Sequence, residues 1–253
     1  MTLSQPVSSM VSSKHIRTSL FGRYNITAVE DADSLTTAAR LISIPKTEWL
    51  SPFSKVIVDG PMNITFKKVK TDEELKIVYD TKNNPSSRFR TGVDKHGVLQ
   101  IIERVDAKQT ILPTEVTVWC KDLNNISITH ANAKFEGVIR SKLLDLAVKG
   151  GADVTLNIES LDALVECTGK SRLKISGSSR YFKINVSTAK VEGLDLKTVA
   201  ADVDASHNAE IGLSVGERLE VVTSTAAKMV YRGRPTILRN KNSLFGGEIL
   251  AVE

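Results

Sequence analysis

Two consecutive stretches decide the fold of this chain: GGADVTLNIESLDALVECT at residues 150–168 and GKSRLKISGSSRYFKINVS at residues 169–187. Each begins with a turn-prone pair of residues and then places a small residue two positions before a larger apolar one. Ala152 and Val154 hold these two positions in the first stretch, and the second stretch repeats them 19 residues later. A repeat at a fixed, short period indicates an architecture of stacked units.

The same two-residue signature recurs along the C-terminal half of the chain. Its six instances are Ala133/Phe135, Ala152/Val154, Ser171/Leu173, Ala189/Val191, Ala209/Ile211 and Ala227/Met229. Subtracting successive numbers of the small residues gives spacings of 19, 19, 18, 20 and 18. A period near 19 is too short for an ankyrin-type repeat or a propeller blade, and it is typical of one coil of a β-solenoid.

Apolar and polar residues alternate ahead of each corner, as they do in half-buried strands. The inward positions are predicted to hold Leu144, Leu146, Val148, Ala163, Val165, Cys167, Phe182, Ile184, Val186, Ala201, Val203, Ala205, Leu219, Val221 and Thr223. The outward positions are predicted to hold Asp145, Glu166, Lys183, Asp202, Asp204 and Glu220. We therefore predict an all-β chain that forms a right-handed parallel β-helix of about six regular coils with an N-terminal strand cap.

The region upstream of the repeats reads as less regular strands. They are expected at residues 55–59, 62–66, 75–79, 98–103 and 115–120, and together they would form the cap. A polar loop is expected at residues 80–97. The domain organisation predicted from these patterns is a poorly structured segment at residues 1–46 and a single β-helix domain at residues 47–253.

The residue directly after each small corner residue faces outward in this register. These residues are Lys134, Asp153, Arg172, Lys190, Glu210 and Lys228. Stacked coils would bring them into one column with rungs about 4.8 Å apart. Because the signs of charge mostly alternate along it, we interpret the column as a structural ladder that stabilises the register, and a charged binding stripe is the less favoured alternative.

Composition narrows the classes of function. The net charge of +5 is spread along the chain without a basic block or interleaved aromatic residues, so no nucleic-acid partner is expected. No apolar run is long enough to span a membrane, and residues 1–14 show no secretory signal. Cys120 and Cys167 lie far apart and belong to no C-x-x-C pair, which argues against a zinc site and a disulfide scaffold.

Several segments resemble a known family. Residues 49–61, WLSPFSKVIVDGP, are similar to the opening of the head GIN domains, which are described as "putative autotransporter adhesin" domains and are frequent in Bacteroidetes. The turns at residues 150–154 and 176–178 and the ending YRGRP at residues 231–235 strengthen the likeness. It covers about residues 47–253 and implies a β-helix, a place in the cell envelope or outside the cell, and no catalytic motif. The chain departs from the family at Lys170, Thr188 and His207, where glycine is common, and no lipobox cysteine precedes the domain.

A carbohydrate-active β-helix enzyme, either a polysaccharide lyase or a glycoside hydrolase, is the main alternative. Such an enzyme needs clustered carboxylates for Ca²⁺ or for acid–base chemistry. Asp202 and Asp204 face outward on one strand, but Lys183 and Asn185 are expected to separate them from Asp145 and Glu166. The sequence therefore predicts no catalytic residue, no metal site and no cofactor.

Exposed rings are the candidate binding residues. Tyr181 and Tyr231 are the two predicted to lie on the surface, where each ring would stack on sugar, whereas Phe182 is expected in the core and Trp119 inside the cap. The function predicted is a non-enzymatic surface module, an adhesin-like binder or scaffold whose partners are glycans or proteins of the host or cell surface. A purely structural envelope component without a ligand is the third hypothesis.

Overall fold

The computed structural model describes residues 43–84, 87–105, 112–242 and 246–252, and these residues form sixteen strands of one sheet. The strands are β1 Lys46–Trp49, β2 Lys55–Asp59, β3 Met62–Lys68, β4 Lys76–Asp80, β5 Arg88–Val93, β6 Val98–Arg104, β7 Thr114–Cys120, β8 Asn125–Thr129, β9 Asn132–Lys149, β10 Asp153–Thr168, β11 Arg172–Ser187, β12 Lys190–Ser206, β13 Glu210–Thr223, β14 Lys228–Arg232, β15 Ile237–Asn242 and β16 Glu248–Val252. One 3-10 turn, Asp72–Glu74, joins β3 to β4.

The strands stack in parallel into a β-solenoid of about seven turns, which confirms the predicted fold. Strands β9 to β13 run for 14 to 18 residues, far longer than the usual strand of about 5–6 residues. Each is this long because it serves two faces of the solenoid. In β9, for example, β3 pairs with the first half and β8 with the second.

The core is one continuous cluster of aliphatic side chains that fills the interior of the stack. Every residue assigned to an inward position from the alternation is buried, from Leu144 to Thr223. Phe182 is among them, at 2% exposure. Because no turn has enough apolar area to bury by itself, this shared interior is what makes the repeats mutually dependent.

The corners between successive turns are built from residues with left-handed backbone angles. Positive φ values occur at His130, Gly150, Gly151, Gly169, Lys170, Thr188, His207, Asn208, Thr225 and Ala226. These corners are stacked through their backbones, since the N–H of Lys170 donates to the carbonyl of Thr188 at 2.6 Å and the N–H of Thr188 donates to Ser206 at 3.3 Å. The non-glycine corners noted in the sequence therefore keep the geometry that glycine adopts most easily.

The region expected to be only a cap contributes two further layers to the solenoid, and in an order that differs from the sequence. The layer formed by β2 and β3 lies between the layer of β6 and β7 and the layer of β8 and β9. Three antiparallel strands form the cap. Strands β4 and β1 extend the sheet beyond β7, and strand β5 extends it beyond β6.

The expected loop at residues 80–97 contains strand β5, so that part of the prediction was wrong. Phe89 of β5 stacks on Tyr79 with ring centroids 4.3 Å apart, and Val93 packs against the core. The prediction missed this strand because two arginines flank Phe89 and hide its apolar character. Of the segment predicted at residues 1–46, residues 1–42 lie outside the described residues, and β1 begins at Lys46.

The outward column predicted after the small corner residues is present for five of its six members. Asp153, Arg172, Lys190, Glu210 and Lys228 are successive partners on neighbouring strands. Lys134 was misplaced by two residues: it pairs with Thr155, and Asn132 is the residue that stands beside Asp153. The contacts along the column are long, with Arg172 to Asp153 and Lys190 to Glu210 both at 3.7 Å, so each adds at most about 1 kcal/mol.

Candidate ligand-binding groove

The two tyrosines predicted as binding residues lie in different environments and do not share a site. Tyr181 is 47% exposed on β11, with the guanidinium of Arg180 at 5.5 Å from its ring centroid. The ring of Tyr231 is partly buried against the core, because its strand position pairs with inward-facing Leu213. Binding through either ring stays a prediction.

A different set of rings and charges forms a row near the N-terminal end of the solenoid. Trp49 on β1 is the register partner of Lys76 on β4, and Lys76 is the partner of Trp119 on β7. The row continues through Lys67 on β3 to Glu136 on β9. Neighbouring strands of the sheet thus carry Trp, Lys, Trp, Lys and Glu in turn, and we call this row and the cleft above it the tryptophan–lysine groove.

Period-two alternation explains why these side chains face outward. In β7, Val116, Val118 and Cys120 take the buried positions, so Trp119 must face the other way. Lys67 follows the buried Phe66 for the same reason. Trp119 thus lies beside β4 of the cap, as expected, but on the outer side of the sheet, and the alternation within β7 was the available sign of this orientation.

The ammonium groups of the row lie over the tryptophan rings. The Nζ of Lys76 is 4.7 Å from the ring centroid of Trp119 and 5.5 Å from that of Trp49. The Nζ of Lys67 is 5.8 Å from the ring centroid of Trp119 and 4.0 Å from the carboxylate of Glu136. Cation–π contacts at such distances contribute about 0.5–1 kcal/mol each at exposed sites. They therefore stabilise the positions of these side chains while the row stays accessible to solvent.

The segment between β3 and β4 forms one wall of the groove and is fixed to the core. Val69 donates its N–H to the carbonyl of Cys120 at 2.9 Å, and Leu75 is buried at 2% exposure. The ammonium of Lys121 binds Asp72 at 2.7 Å. Glu73 and Glu74 line the resulting open cleft, whose volume is about 770 Å³. The cleft is thus formed before any ligand arrives, which lowers the entropic cost of binding.

Trp49 is the open end of the row. It is 69% exposed, and within the described residues its strand pairs with β4 alone, so one side of the ring has no strand beside it. Trp119, by contrast, is half-buried. Two strand spacings of about 4.8 Å separate the two tryptophan positions, a span of roughly 10 Å that is comparable to a disaccharide. An exposed indole beside a fixed row of polar groups is suited to a ligand with both apolar faces and polar edges, which is the character of a sugar.

Outward carboxylates of the kind needed for hydrolysis or lyase chemistry meet on β12 and β13, where Asp202 stands beside Glu220, and Glu220 is bound by Arg239 at 3.2 Å. Lys183 and Asn185 stand beside Asp202 and Asp204 in the register, as the sequence predicted. Among the described residues, no group of three or more His, Cys, Asp or Glu side chains is arranged to hold a metal ion. Burial raises the pKa of Cys120 and that of Cys167 to about 12, so both thiols stay protonated at neutral pH.

Comparison with known proteins gives a family and several similar folds. Residues 52–235 match the family described as "Putative auto-transporter adhesin, head GIN domain". A search of curated proteins returned no match.

No helix within the part of the chain that the structure describes has the length and apolar character needed to cross a membrane.

Three crystal structures with a similar fold are each described as a "putative adhesin". The structure from Bacteroides fragilis is 17% identical with a TM-score of 0.74, and the match covers 83% of this chain and 97% of that one. The structure from Parabacteroides distasonis is 14% identical with a TM-score of 0.64, covering 83% and 97%. The structure from Parabacteroides merdae is 13% identical with a TM-score of 0.58, covering 83% and 96%. At these identities the likeness concerns the fold.

Proposed function

The chain belongs to the head GIN domain family of adhesin-like proteins, and from this premise we propose that it is a non-enzymatic module of the cell surface or envelope that binds carbohydrate through the tryptophan–lysine groove. The family membership supports the location and the adhesin-like role. The groove supports the kind of ligand. The long solenoid would serve as the rigid support that presents the groove at one end.

The exposed ring of Trp49 is the single observation that carries the proposal. A surface tryptophan at 69% exposure forgoes the stabilisation that burial of so large an apolar side chain would give. Sugars present C–H-lined faces that pack on aromatic rings, and their hydroxyl groups bond to charged side chains at the rim. Lys70, Glu73 and Glu74 supply both kinds of rim charge beside the ring.

The absence of catalytic function is part of the same proposal. The family carries the description of an adhesin, and where two outward carboxylates do stand side by side, at Asp202 and Glu220, the carboxylate of Glu220 is bound by Arg239 at 3.2 Å. A lyase assay tests this directly: we expect no unsaturated oligosaccharides to be released from uronic-acid polysaccharides in the presence of calcium. Release of such products would contradict the adhesin-like function and support the polysaccharide lyase.

Surface location is tested by adding protease to intact cells that express the protein, with a cytoplasmic protein as control. We expect the protein to be cleaved while the cytoplasmic control stays intact. Cleavage only after lysis would contradict an adhesin role and leave the fold without this function.

Binding is tested with the purified full chain on an array of oligosaccharides, followed by calorimetric titration of the best ligand. Trp49→Ala is expected to reduce affinity by at least tenfold, because loss of an aromatic ring that anchors a ligand costs about 2 kcal/mol. Leu161→Ala is the control, since Leu161 is 51% exposed on β10 and does not line the groove, whereas Tyr181→Ala tests the predicted role of that ring. Saturable binding that is unchanged in the Trp49→Ala variant would show that the binding site lies outside the groove. A complete lack of saturable binding would favour the purely structural role.

A further inference from the structure

Two ammonium groups of the tryptophan–lysine groove, those of Lys70 and Lys76, have no ion-pair partner among the described residues. Lys68 binds Asp122 at 2.6 Å, and Lys67 lies 4.0 Å from Glu136. Lys76, in contrast, contacts two indole rings, and no carboxylate of the described residues lies within the 4.0 Å ion-pair distance of its Nζ. Aromatic rings attract a cation without cancelling its net charge, so this ammonium keeps its full charge for a ligand.

The position of Lys76 fixes where a ligand anion would lie. The residue sits between Trp49 and Trp119 in the register of three adjacent strands, and its side chain is half-buried. Its ammonium is therefore held by rings on both sides at the middle of the roughly 10 Å span between them. An anionic group on a ligand that stacks on Trp49 would reach this ammonium without displacing a protein carboxylate.

From this arrangement we infer that the ligand is an acidic oligosaccharide, one whose sugar ring packs on Trp49 while its carboxylate or sulfate group pairs with Lys76. The inference rests on the proposed carbohydrate-binding function and names the class of sugar. Charge-assisted contacts of this kind are about twice as strong as neutral hydrogen bonds, and they give the groove a preference for acidic over neutral chains.

The glutamates of the groove distinguish such a sugar from a nucleic-acid strand. Glu73, Glu74 and Glu136 are exposed and line the same cleft. Carboxylates accept hydrogen bonds from the many hydroxyl groups of a sugar chain, but they repel a backbone that carries a phosphate at every unit. The mixture of two unpaired ammonium groups, those of Lys70 and Lys76, with several carboxylates fits a hydroxyl-rich ligand whose charges are sparse.

Calorimetric titration of the full chain with ligands of equal length tests the inference. The probes are a hyaluronan hexasaccharide, which carries carboxylates on alternate sugars, a κ-carrageenan hexasaccharide, which carries sulfates on alternate sugars and no carboxylate, and chitohexaose, which is neutral. We expect at least one of the two acidic probes to bind about tenfold more tightly than chitohexaose, and Lys76→Gln to remove that advantage. Whichever acidic probe is preferred identifies carboxylate or sulfate as the recognised group.

Control variants separate charge from fold. Lys76→Arg keeps the positive charge and the stacking on indole, so it should retain the preference for acidic probes. Lys134→Gln removes an exposed lysine of β9 that does not line the groove, and it should leave the preference for acidic probes unchanged. The acidic preference should also shrink as salt is raised from 50 to 500 mM, because a solvent-accessible ion pair is screened.

The outcomes that overturn the inference differ from those that overturn the proposed function. Equal, Trp49-dependent binding of acidic and neutral probes, unchanged by Lys76→Gln, would remove the acidic class and leave carbohydrate binding in place. Tighter binding of single-stranded oligothymidylate than of any sugar, with the same dependence on Trp49 and Lys76, would replace the sugar with nucleic acid. Binding of none of these probes would remove both proposals.

Discussion

At the scale of single residues, the corners of the solenoid show how a repeat tolerates unfavourable backbone angles. Thr188 has a φ of 52° and Thr225 a φ of 51°, values that crowd a β-branched side chain. The stacked corners keep this geometry because neighbouring turns hold it through backbone hydrogen bonds. Left-handed angles cost most L-residues about 1–2 kcal/mol, so such corners are places where the native sequence is not optimal for stability.

Thr188→Asn is expected to stabilise the protein. Asparagine tolerates the left-handed region better than a β-branched residue and does not bring the entropic cost of glycine, so a gain of about 0.5–1 kcal/mol in the free energy of unfolding is expected. Urea denaturation measures it. Thr155→Asn serves as the control, because Thr155 lies within strand β10, where loss of a β-branched residue should destabilise the chain. A destabilised Thr188→Asn variant would show that packing at this corner outweighs backbone strain.

At the scale of elements, an ion-pair cluster links the three layers that are out of sequence order. Asp59 ends β2, and its carboxylate contacts Arg104 of β6 at 2.8 Å and His130, at the corner before β9, at 3.1 Å. Burial tends to raise the pKa of Asp59, but the hydrogen bonds from Arg104 and His130 outweigh it and hold the pKa below its ordinary value of 3.8. The carboxylate of Asp59 thus connects three successive layers of the stack: its own layer, the layer of β6 and the layer of β8 and β9.

This cluster predicts a loss of stability in acid. Because the pKa of Asp59 is lower in the folded chain than in the unfolded chain, its contribution is complete above about pH 4 and is lost as the pH falls through the folded-state pKa. Asp59→Asn should therefore lower the free energy of unfolding at pH 7 and weaken its decrease between pH 5 and pH 2.5. Denaturant titrations across this range provide the measurement.

The matched control for this experiment is Asp204→Asn, since Asp204 is exposed and has no ion pair within the described part of the chain. It should leave the pH profile close to that of the native protein. Identical profiles for the native chain and Asp59→Asn would mean that the cluster makes no contribution to linking the layers.

At the scale of the whole molecule, the final strand protects an open end. β16 pairs with β14 along its whole length, and the N–H of Glu248 donates to the carbonyl of Ala227 at 2.9 Å. Beneath it, Met229 is fully buried. An uncovered edge of parallel strand, with a row of free backbone groups, is a template for pairing with another chain.

A chain that ends at Gly246 is therefore expected to self-associate. Light scattering coupled to size-exclusion chromatography should show dimers and larger species that grow with concentration, whereas the full chain should elute without them. Val230→Lys in the shortened chain places a charge on the outward side of the new edge strand and should suppress the association if edge pairing is its cause. A shortened chain that stays monomeric at high concentration would refute this role for β16.

The repeat, the solenoid and the identity of the core could be predicted from the amino-acid sequence alone. The spacing near 19 residues and the strict alternation place residues such as Leu146, Val165 and Ile184 inside, and all three are buried. These features are local, since an inward or outward position depends only on the parity of the strand. The same parity limits what a sequence can reveal: a shift of two residues leaves every side chain on its own face, and this is how Lys134 was assigned to a column that belongs to Asn132.

The order of the layers and the set of residues that form the groove depend on long-range packing, and they could not be predicted from the sequence. The layer of β2 and β3 enters between β6–β7 and β8–β9, a choice made by contacts between distant segments such as the stacked rings of Phe66 and Phe135, 4.3 Å apart. The row from Trp49 to Glu136 joins five strands that are dispersed in the chain. A local sequence repeat predicts neither the order of the layers nor the composition of the groove. Which strands become neighbours depends on how the buried faces of the whole chain pack together.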